Sequence, residues 1–337
     1  VDDARLVALN AVDAAERGAE IATRTELLSA TRSAGRWRAK LSNGREVEAR
    51  MLVNAAGPWV AEMLGGCLHV EAHSKVRLIR GSHIVVPALH GGDHAYILQQ
   101  PDDRVVFALP YEGRFTLIGT TDVPVNRPDD DGISPEETAY LCAAANRYFE
   151  RQIAPGDVAW SYSGIRALYD SGEAAAQAVT RDYHLELDDG GGAPLLSLFG
   201  GKITTARALA EEALEMLGVK APRWTATAPL PGGDAAGLAE VKTRWPWLPP
   251  HLRTRLIHAY GSRMADLLGD AGGLEALGRH FGADLYEAEV HYLVTAEYAR
   301  SAEDILWRRT KCGLFMSPAE RDKLASFLAE HFAALSR

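Results

Sequence analysis

Alternation of apolar and polar residues predicts β-strands in the first half of the chain. The segment 36–54 contains RWRAKL and EVEARMLVN, which alternate in this way, and the Asn43-Gly44 pair between them suits a tight hairpin turn. Short runs rich in β-branched and aromatic residues follow between 75 and 122, separated by turns that contain glycine or proline. This part of the chain is therefore expected to form sheets.

Helical spacing of apolar residues dominates the last third of the chain. The segment 285–301 reads LYEAEVHYLVTAEYARS and places apolar side chains on one helix face. A proline- and glycine-rich stretch, 221–234, precedes this third and has the composition of a linker. Earlier, Ser134, Pro135 and Glu137 have the spacing of a helix N-cap with a capping box. We expect a separate helical domain after the linker.

Bulk composition excludes several classes of protein. A chain of 337 residues is long enough for two domains, and it contains no run of about 18 apolar residues that could span a membrane. The net charge of −9 disfavours nucleic acid as a partner. Cys67, Cys142 and Cys312 stand far apart without CxxC spacing, so they are expected to be reduced thiols, and no metal site is predicted from them.

Two glycine-containing turns are candidates for contact with a ligand. FGGKITT (199–205) joins an apolar run to a helical one, and its glycines would let a backbone approach a flat ligand closely. The P-loop pattern fails, because position 196 is Leu and Ile203 follows the lysine. VNAAGPW (53–59) is a similar small-residue turn after a strand. Taken alone, the first motif is more typical of a plain tight turn with an exposed lysine, and the second is as typical of an ordinary strand–helix connection.

Charged residues within apolar strands are the other candidates. Arg166 and Arg181 each lie in such a run, where an arginine has either a nearby carboxylate partner or a bound phosphate or carboxylate. His83 begins a strand, and a lone histidine is more often structural than catalytic. The segment 120–122, Thr-Thr-Asp, ends a strand, which is a common place both for site residues and for turn caps.

Taken in order, these segments resemble the FAD-dependent, quinone-linked glycerol-3-phosphate dehydrogenases, in the amino-acid-oxidase-like group of flavoproteins. The resemblance extends over essentially the whole chain, and ordered matches are more specific than any one motif. The residues that carry it are VNAAGPW (53–59), RGSHIVV (80–86), LIGTTD (117–122), SGIR (163–166), TRDY (180–183), FGGKITT (199–205) and the helical segment 293–315.

The resemblance implies an α+β or α/β fold with three parts: a partial FAD-binding domain, a mixed-sheet substrate domain and a C-terminal helical domain. The boundaries that we expect are 1–70 for the second part of the FAD-binding domain, 71–198 for the β-rich substrate domain, 199–222 for a flavin-facing turn and helix that return to the FAD domain, and 223–337 for the helical domain.

The resemblance also implies a reaction and residues for it. The reaction is oxidation of sn-glycerol 3-phosphate to dihydroxyacetone phosphate, with hydride passed to FAD. The residues that would contact FAD are Asn54, Ala55, Ala56, Gly57, Trp59, Gly200, Gly201, Lys202, Ile203 and Thr204. The residues that would act on the substrate are His83 as base, Arg166, Arg181 and Lys202 as catalytic and substrate-holding cations, and Thr121 as a further substrate contact. Exchange of the roles of His83 and one arginine fits the sequence equally well.

Electrons would then pass to a quinone, which implies a cytoplasmic protein on the periphery of the membrane. An O2-using glycerol-phosphate oxidase remains an alternative, and so does an amino-acid oxidase, although the extra basic residues and the helical domain argue against the latter. The sequence does not fix the oligomeric state, and a homodimer is one arrangement that it allows.

One departure from the family is large. The family begins with a βαβ unit that carries GxGxxG, which holds the FAD pyrophosphate, and this motif occurs nowhere in the chain. We therefore expect the chain to correspond to the C-terminal portion of a longer enzyme, with FAD binding and activity weak or absent in the portion alone. A flavin-free binding or interaction fragment is the remaining alternative.

Overall fold

The structure is a computed structural model that describes residues 2–130, 132–170, 183–190 and 192–335. The helices are α1 Asp3–Glu16, α2 Val60–Glu62, α3 Pro135–Asn146, α4 Ala206–Met216, α5 Ala235–Val241, α6 Pro250–Tyr260, α7 Met264–Leu268, α8 Glu287–Ala296 and α9 Pro318–Leu335. The strands are β1 Leu27–Ser33, β2 Arg36–Leu41, β3 Glu46–Ala49, β4 Leu52–Asn54, β5 Val76–Pro87, β6 Tyr96–Gln99, β7 Val105–Tyr111, β8 Phe115–Gly119, β9 Val123–Pro124, β10 Trp160–Tyr169, β11 Tyr183–Asp188, β12 Leu195–Gly200, β13 His280–Gly282 and β14 Leu285–Tyr286.

The chain forms two compact units, Arg24–Arg223 and a discontinuous unit made of Val1–Thr23 with Trp224–Arg337. The predicted first domain, 1–70, is therefore divided near residue 23. The physical reason is that α1 carries Arg5, whose buried guanidinium pairs with Glu297 in the C-terminal part of the chain. The division of the larger unit at residues 71 and 199 stays a prediction.

A six-stranded sheet dominates the larger unit. Its order is β10-β5-β8-β7-β6, β9 also pairs with β5, and the pairings are antiparallel. Helix α3 packs on one face, since alternate residues of the strands form a shared apolar core with it. The members of this core that come from β5 are Ile84 and Val86, both fully buried. His83 alternates with them, so its side chain lies on the face opposite α3.

Two smaller sheets complete this unit. Strands β1, β2 and β3 form the antiparallel meander that the Asn43-Gly44 turn predicts. Strands β11, β12 and β4 form a mixed sheet in which β12 runs antiparallel to β11 and parallel to β4. The parallel pair is the important one, because it brings the carboxyl ends of β4 and β12 to the same edge.

The second unit is mostly helical, as the apolar spacing predicts. Helix α1 contacts the π-helical turn Asp304–Arg309, and the short hairpin β13–β14 precedes α8. Its interior contains paired charges: Arg255 binds Glu289 in a two-bonded ion pair, and the buried Tyr260 hydroxyl donates to the same carboxylate at 2.6 Å. Burial, with the negative charge of Glu289 next in effect, raises the pKa of Tyr260 well above its usual value, so it stays a neutral donor.

Over the described residues, no helix is both long enough and apolar enough to cross a membrane.

Candidate active site

His83 lies on the face of the six-stranded sheet opposite α3. It is held between the neighbouring strands, paired with Tyr162 of β10 on one side and with Gly119 of β8 on the other. The Tyr162 ring stacks on the imidazole with centroids 4.9 Å apart and an angle of 8° between the planes. A Cβ atom added to Gly119 would lie 2.1 Å from His83 Cδ2. The imidazole therefore occupies the space that the missing side chain of Gly119 leaves.

Arg166 lies on the same face, over Gly81. A Cβ atom added to Gly81 would lie 2.4 Å from Arg166 Nη2, so this glycine also makes room for its neighbour. Nη1 donates to Asp122 Oδ1 at 2.8 Å and Nη2 donates to Thr120 Oγ1 at 3.0 Å. The carboxylate partner that the sequence left open for Arg166 is thus Asp122. About a third of the side chain is exposed, and a guanidinium has five N–H donors, so these two bonds to described residues leave it further donors that could bind an anion.

Tyr162, Gly81 and Gly119 were not among the predicted site residues. The signal for the two glycines was present in the sequence, since an isolated glycine inside a strand often marks close approach of another group. Tyr162 had no such signal, because its role depends on its pairing opposite His83 between β10 and β5.

Thr121 is a correction to the prediction, because its side chain faces the other side of the sheet. Thr121 is only 2% exposed. Its hydroxyl accepts from the Ser82 N–H at 2.9 Å and donates to Glu137 Oε1 at 2.6 Å. The Thr121 hydroxyl is thus bonded to Ser82 and Glu137 inside the protein, on the side of the sheet opposite His83. The neighbours that do face Arg166 are Thr120 and Asp122.

A buried carboxylate lies beneath this face. Glu137 of α3 accepts from Thr121, Ser82, Arg80 and the Ser134 backbone. Burial alone would raise the pKa of Glu137, but these hydrogen bonds together hold it below its usual value. Glu137 is therefore ionised at neutral pH, and its negative charge is matched by Arg80.

The two predicted ligand-contacting turns emerge together at one edge of the mixed sheet. Ser197 of β12 is paired with Asn54 of β4 in the parallel register, and each strand ends directly before its turn. The first turn continues into the short 3₁₀ helix Gly57–Trp59, which also contacts β10, the strand of Arg166.

The first turn is shaped by Asn54. Its buried amide donates to the Val60 carbonyl at 3.0 Å and its Oδ1 accepts from the Ala56 N–H. Gly57 has a φ of +55°, and Trp59 is 46% exposed. Asn54 thus holds the turn, while Ala55, Ala56, Gly57 and Trp59 form its surface.

The second turn has the conformation that its glycines predict. Gly200 and Gly201 have φ values of +81° and +101°, in the left-handed region that glycine favours. Lys202, Ile203 and Thr204 follow, all exposed, and within the described part of the chain no side chain caps the N-terminus of the turn Ile203–Thr205. An exposed backbone without Cβ atoms, followed by an uncapped helical turn, fits the edge of a flavin ring, as the resemblance implies.

The structure thus brings His83 and Arg166 to one sheet face and the two turns to one sheet edge. The remaining predicted cation, Arg181, lies outside the described residues, as does most of the segment 180–183. No cluster of three or more metal-ligating side chains occurs in the described ranges.

Comparison with known proteins gives the family. Residues 1–207 match the family model described as FAD dependent oxidoreductase, and residues 223–334 match that described as C-terminal domain of alpha-glycerophosphate oxidase. The glycerol-3-phosphate dehydrogenase of Pseudomonas aeruginosa is 49% identical, over 98% of this chain and 68% of that protein. The D-erythritol 1-phosphate dehydrogenase of Brucella abortus is 48% identical, over 95% of this chain and 67% of that protein.

A solved structure extends the likeness to three dimensions. The glycerol-3-phosphate dehydrogenase of Bacillus halodurans complexed with FAD superposes with a TM-score of 0.79 at 27% identity, covering 99% of this chain and 69% of that one. The predicted resemblance, the fold class and FAD as the cofactor of the family are confirmed. The chain therefore belongs to the FAD-dependent oxidoreductases of the glycerol-3-phosphate dehydrogenase family.

Proposed function

We propose that the protein oxidises sn-glycerol 3-phosphate to dihydroxyacetone phosphate with FAD as the hydride acceptor. The observation that carries this proposal is the placement of an imidazole and a guanidinium on one sheet face, each over a glycine that makes room for it. An acid–base group beside an anion-binding group is what oxidation of a phosphorylated alcohol requires. Two relatives that carry the name glycerol-3-phosphate dehydrogenase, at 49% and 43% identity, support the substrate.

Each of the basic residues has a proposed role. His83 accepts the proton of the substrate hydroxyl at carbon 2, because an imidazole titrates near neutral pH. Arg166 holds the phosphate or polarises the forming carbonyl through the donors that Asp122 and Thr120 leave unused. Lys202 and Arg181 add positive charge for the phosphate. Exchange of the proton-accepting role between His83 and an arginine is the competing assignment.

FAD, when bound, supplies the acceptor for the hydride that leaves carbon 2 of the substrate. The chain's own contribution is the pair of turns. Gly200 and Gly201 let the backbone approach without side-chain obstruction, and the N–H groups that follow Lys202 present partial positive charge. The turn that Asn54 holds gives a second surface at the same edge.

The acceptor of the electrons is a further part of the proposal. We favour a membrane quinone, which places the protein at the periphery of the cytoplasmic membrane, over direct use of O2. Quinone reduction without peroxide release supports this assignment, and stoichiometric peroxide with no quinone reduction contradicts it. Analytical ultracentrifugation of the same preparation measures its mass in solution and so tests whether the protein is a homodimer.

The substrate has one specific competitor. A relative at 48% identity carries the name D-erythritol 1-phosphate dehydrogenase, nearly as similar as the relative at 49%. The two phosphates share the anionic group and differ in the length of the polyol. Comparison of kcat/KM for glycerol 3-phosphate and for D-erythritol 1-phosphate decides between them, and a higher value for the latter would replace the proposed substrate.

The first test is the visible flavin spectrum, followed by dye reduction driven by glycerol 3-phosphate. The chain contains no GxGxxG, so we expect residues 1–337 alone to retain FAD weakly and a longer version that includes such a unit to retain it tightly. A longer version that binds FAD but oxidises neither phosphate contradicts the proposed reaction. A longer version without flavin contradicts the proposed cofactor role of these turns.

A further inference from the structure

The polar cluster beneath the sheet face of His83 and Arg166 is more than a helix cap. Ser134 and Glu137 form a capping box at the start of α3, in which Glu137 Oε2 accepts from the Ser134 N–H at 3.0 Å. The same carboxylate also accepts hydrogen bonds from residues of the six-stranded sheet. Oε2 also accepts from Arg80 Nη2 at 2.8 Å, and Oε1 accepts from Ser82 Oγ at 2.8 Å and from Thr121 Oγ1 at 2.6 Å.

The Glu137 side chain is almost entirely buried by the protein. Glu137 is 6% exposed, and its partners Arg80, Ser82 and Thr121 are 7%, 0% and 2% exposed. A capping box requires only the two bonds between Ser134 and Glu137, so the bonds of the carboxylate to Arg80, Ser82 and Thr121 are additional to the cap. Burial of a charge is unfavourable unless several donors satisfy it, and here four donors do so.

Each sheet partner of Glu137 lies next in sequence to residues of the proposed site. Ser82 stands between Gly81, over which Arg166 lies, and His83. Thr121 stands between Thr120 and Asp122, the two residues that accept hydrogen bonds from Arg166. Side chains alternate across β5, so Ser82 faces Glu137 while His83 faces the opposite side, and beyond the end of β8 Thr121 bonds Glu137 while Thr120 and Asp122 bond Arg166.

The cluster also joins the strands to one another. The Ser82 N–H donates to Thr121 Oγ1 at 2.9 Å, which connects β5 to the segment that follows β8. Ser82 Oγ lies 2.8 Å from Ser163 Oγ, which connects β5 to β10, the strand of Arg166. One carboxylate is therefore linked to all three segments that carry the site.

We propose that Glu137 is a positioning residue of the active site: through Thr121 and Ser82 it fixes the acceptors of Arg166 and the backbone beside His83. The inference rests on the proposed function for its kinetic test, and on geometry alone for its second test. Glu137 does not touch the substrate. It acts by holding Thr120 and Asp122 where they aim the guanidinium.

The test is Glu137→Gln in the FAD-loaded, full-length protein, with Glu136→Gln as the matched control. Glu136 precedes Glu137 in the first turn of α3 and is exposed, so both variants remove one charge at the same helix end. Glutamine presents an amide N–H₂ toward at least one donor of the cluster, which leaves that contact unmade. We expect Glu137→Gln to lower kcat/KM for glycerol 3-phosphate about 10- to 100-fold, mainly through KM, since small misplacements of positioning groups have effects of this size. Glu136→Gln should keep the wild-type values.

The second variant is Thr121→Val, which keeps the β-branched shape and removes the hydroxyl that donates to Glu137 and accepts from the Ser82 N–H. Thr121→Val should also raise KM for glycerol 3-phosphate. If Glu137→Gln does not fold, Thr121→Val alone tests the positioning role. The second readout is hydrogen exchange of peptides covering 119–123, which should become faster in both variants and not in Glu136→Gln.

The outcomes separate a positioning role from a structural one. Unchanged KM and unchanged exchange at 119–123 in folded variants, even with a lower melting temperature, overturn the proposal. An equal effect of Glu136→Gln also overturns it, since the charge of the helix end would then be responsible. If the wild-type protein oxidises no glycerol 3-phosphate, the proposed function fails, and hydrogen exchange at 119–123 still accepts or rejects the positioning role.

Discussion

Gly81 and Gly119 determine, at the scale of single residues, where Arg166 and His83 can lie. Both glycines are in the middle or at the end of strands, without the positive φ that would otherwise explain them. What they provide is room above the sheet for a neighbouring side chain. The site is thus built as much from missing side chains as from the charged ones.

Gly81→Ala tests this directly. The new Cβ would lie 2.4 Å from Arg166 Nη2, the far end of a flexible side chain, so the guanidinium should move while the sheet stays folded. We expect KM for glycerol 3-phosphate to rise about tenfold, within the range that misplacement of a positioning group produces, with little change in melting temperature. Gly156→Ala, where an added Cβ meets nothing within 4 Å, is the control. A normal KM in Gly81→Ala would contradict the role of Arg166.

Arg166→Ala removes the guanidinium outright. If Arg166 holds the phosphate, KM should rise by about 10- to 100-fold with kcat less affected, because hydrogen bonds to charged groups contribute roughly 1.5–3 kcal/mol. Arg166→Lys should recover only part of the loss, since lysine keeps the charge but not the planar fork. Arg38→Ala, at an exposed position of β2, should leave the kinetics unchanged. Unchanged kinetics in Arg166→Ala would remove it from the site.

The residue types of the site were predictable from the sequence, and their orientations were not. His83, Arg166 and the glycine turns were identified by residue type in short ordered motifs. Which of the two adjacent threonines bonds Arg166 could not be predicted, because Thr120 and Thr121 lie beyond the end of β8, where strand alternation no longer fixes the direction of a side chain. Glu137 was identified only as a cap, since nothing local in the sequence reveals that Ser82 and Thr121 lie within reach of it.

At the scale of elements, the N-terminus of α3 and that of the turn before α4 differ in how they are capped. Helix α3 begins with a complete capping box whose carboxylate is buried. The turn before α4 begins with two glycines and no side-chain cap among the described residues. The first N-terminus is capped by side chains of the protein, whereas the second has no side-chain cap in the described part of the chain.

The buried cap predicts a pH dependence of stability. The pKa of Glu137 is held below its usual value of 4.5 in the folded state, so its ionisation stabilises the fold above pH 4.5, and this contribution is lost as the pH falls below 4.5 through the folded-state pKa. Chemical denaturation at pH 7 and near pH 4 should show a smaller acid loss of unfolding free energy in Glu137→Gln than in the wild type. An acid loss as large in the variant would mean that other carboxylates are responsible.

The glycine turn predicts a local cost of substitution. Gly201→Ala places a side chain at φ +101°, and its Cβ would lie 3.2 Å from Leu209 Cδ1. We expect a loss of about 1–3 kcal/mol in unfolding free energy, the usual range for a strained backbone position, together with weaker FAD retention. Gly66→Ala, with no contact within 4 Å and no positive φ, is the control for urea denaturation. Equal stability of the two variants would show that the turn can adopt another conformation.

At the scale of the whole molecule, the feature that sequence reasoning missed is the partner of α1. The helix itself is Asp3–Glu16, with Asp2 as its N-cap. Its association with residues 224–337 could not be predicted, because it depends on a contact between residues far apart in sequence. Arg5 Nη1 and Nη2 donate to Glu297 at 2.7 and 2.9 Å, and Glu297 is fully buried.

Arg5→Ala should therefore destabilise the discontinuous unit. Removal of one partner of a buried pair leaves the other charge buried, which costs about 3–5 kcal/mol. Arg309, 3.9 Å from Glu297, offsets part of that loss. Val7→Ala on the same helix, at a position 62% exposed, should change the unfolding free energy by less than about 0.5 kcal/mol. Equal midpoints for the two variants in urea would mean that α1 adds nothing to this unit.

The Arg5–Glu297 pair also sets an order of events during synthesis on the ribosome. Its two residues are 292 positions apart, so at about 5–20 residues per second α1 waits roughly 15–60 s before its partner has been made. The intervening segment 24–223 contains its own sheets and can condense in that interval. Helix α1 therefore reaches its place only after most of the chain that follows it has been made, and until then its apolar face is open to chaperones and to the same face of other nascent chains.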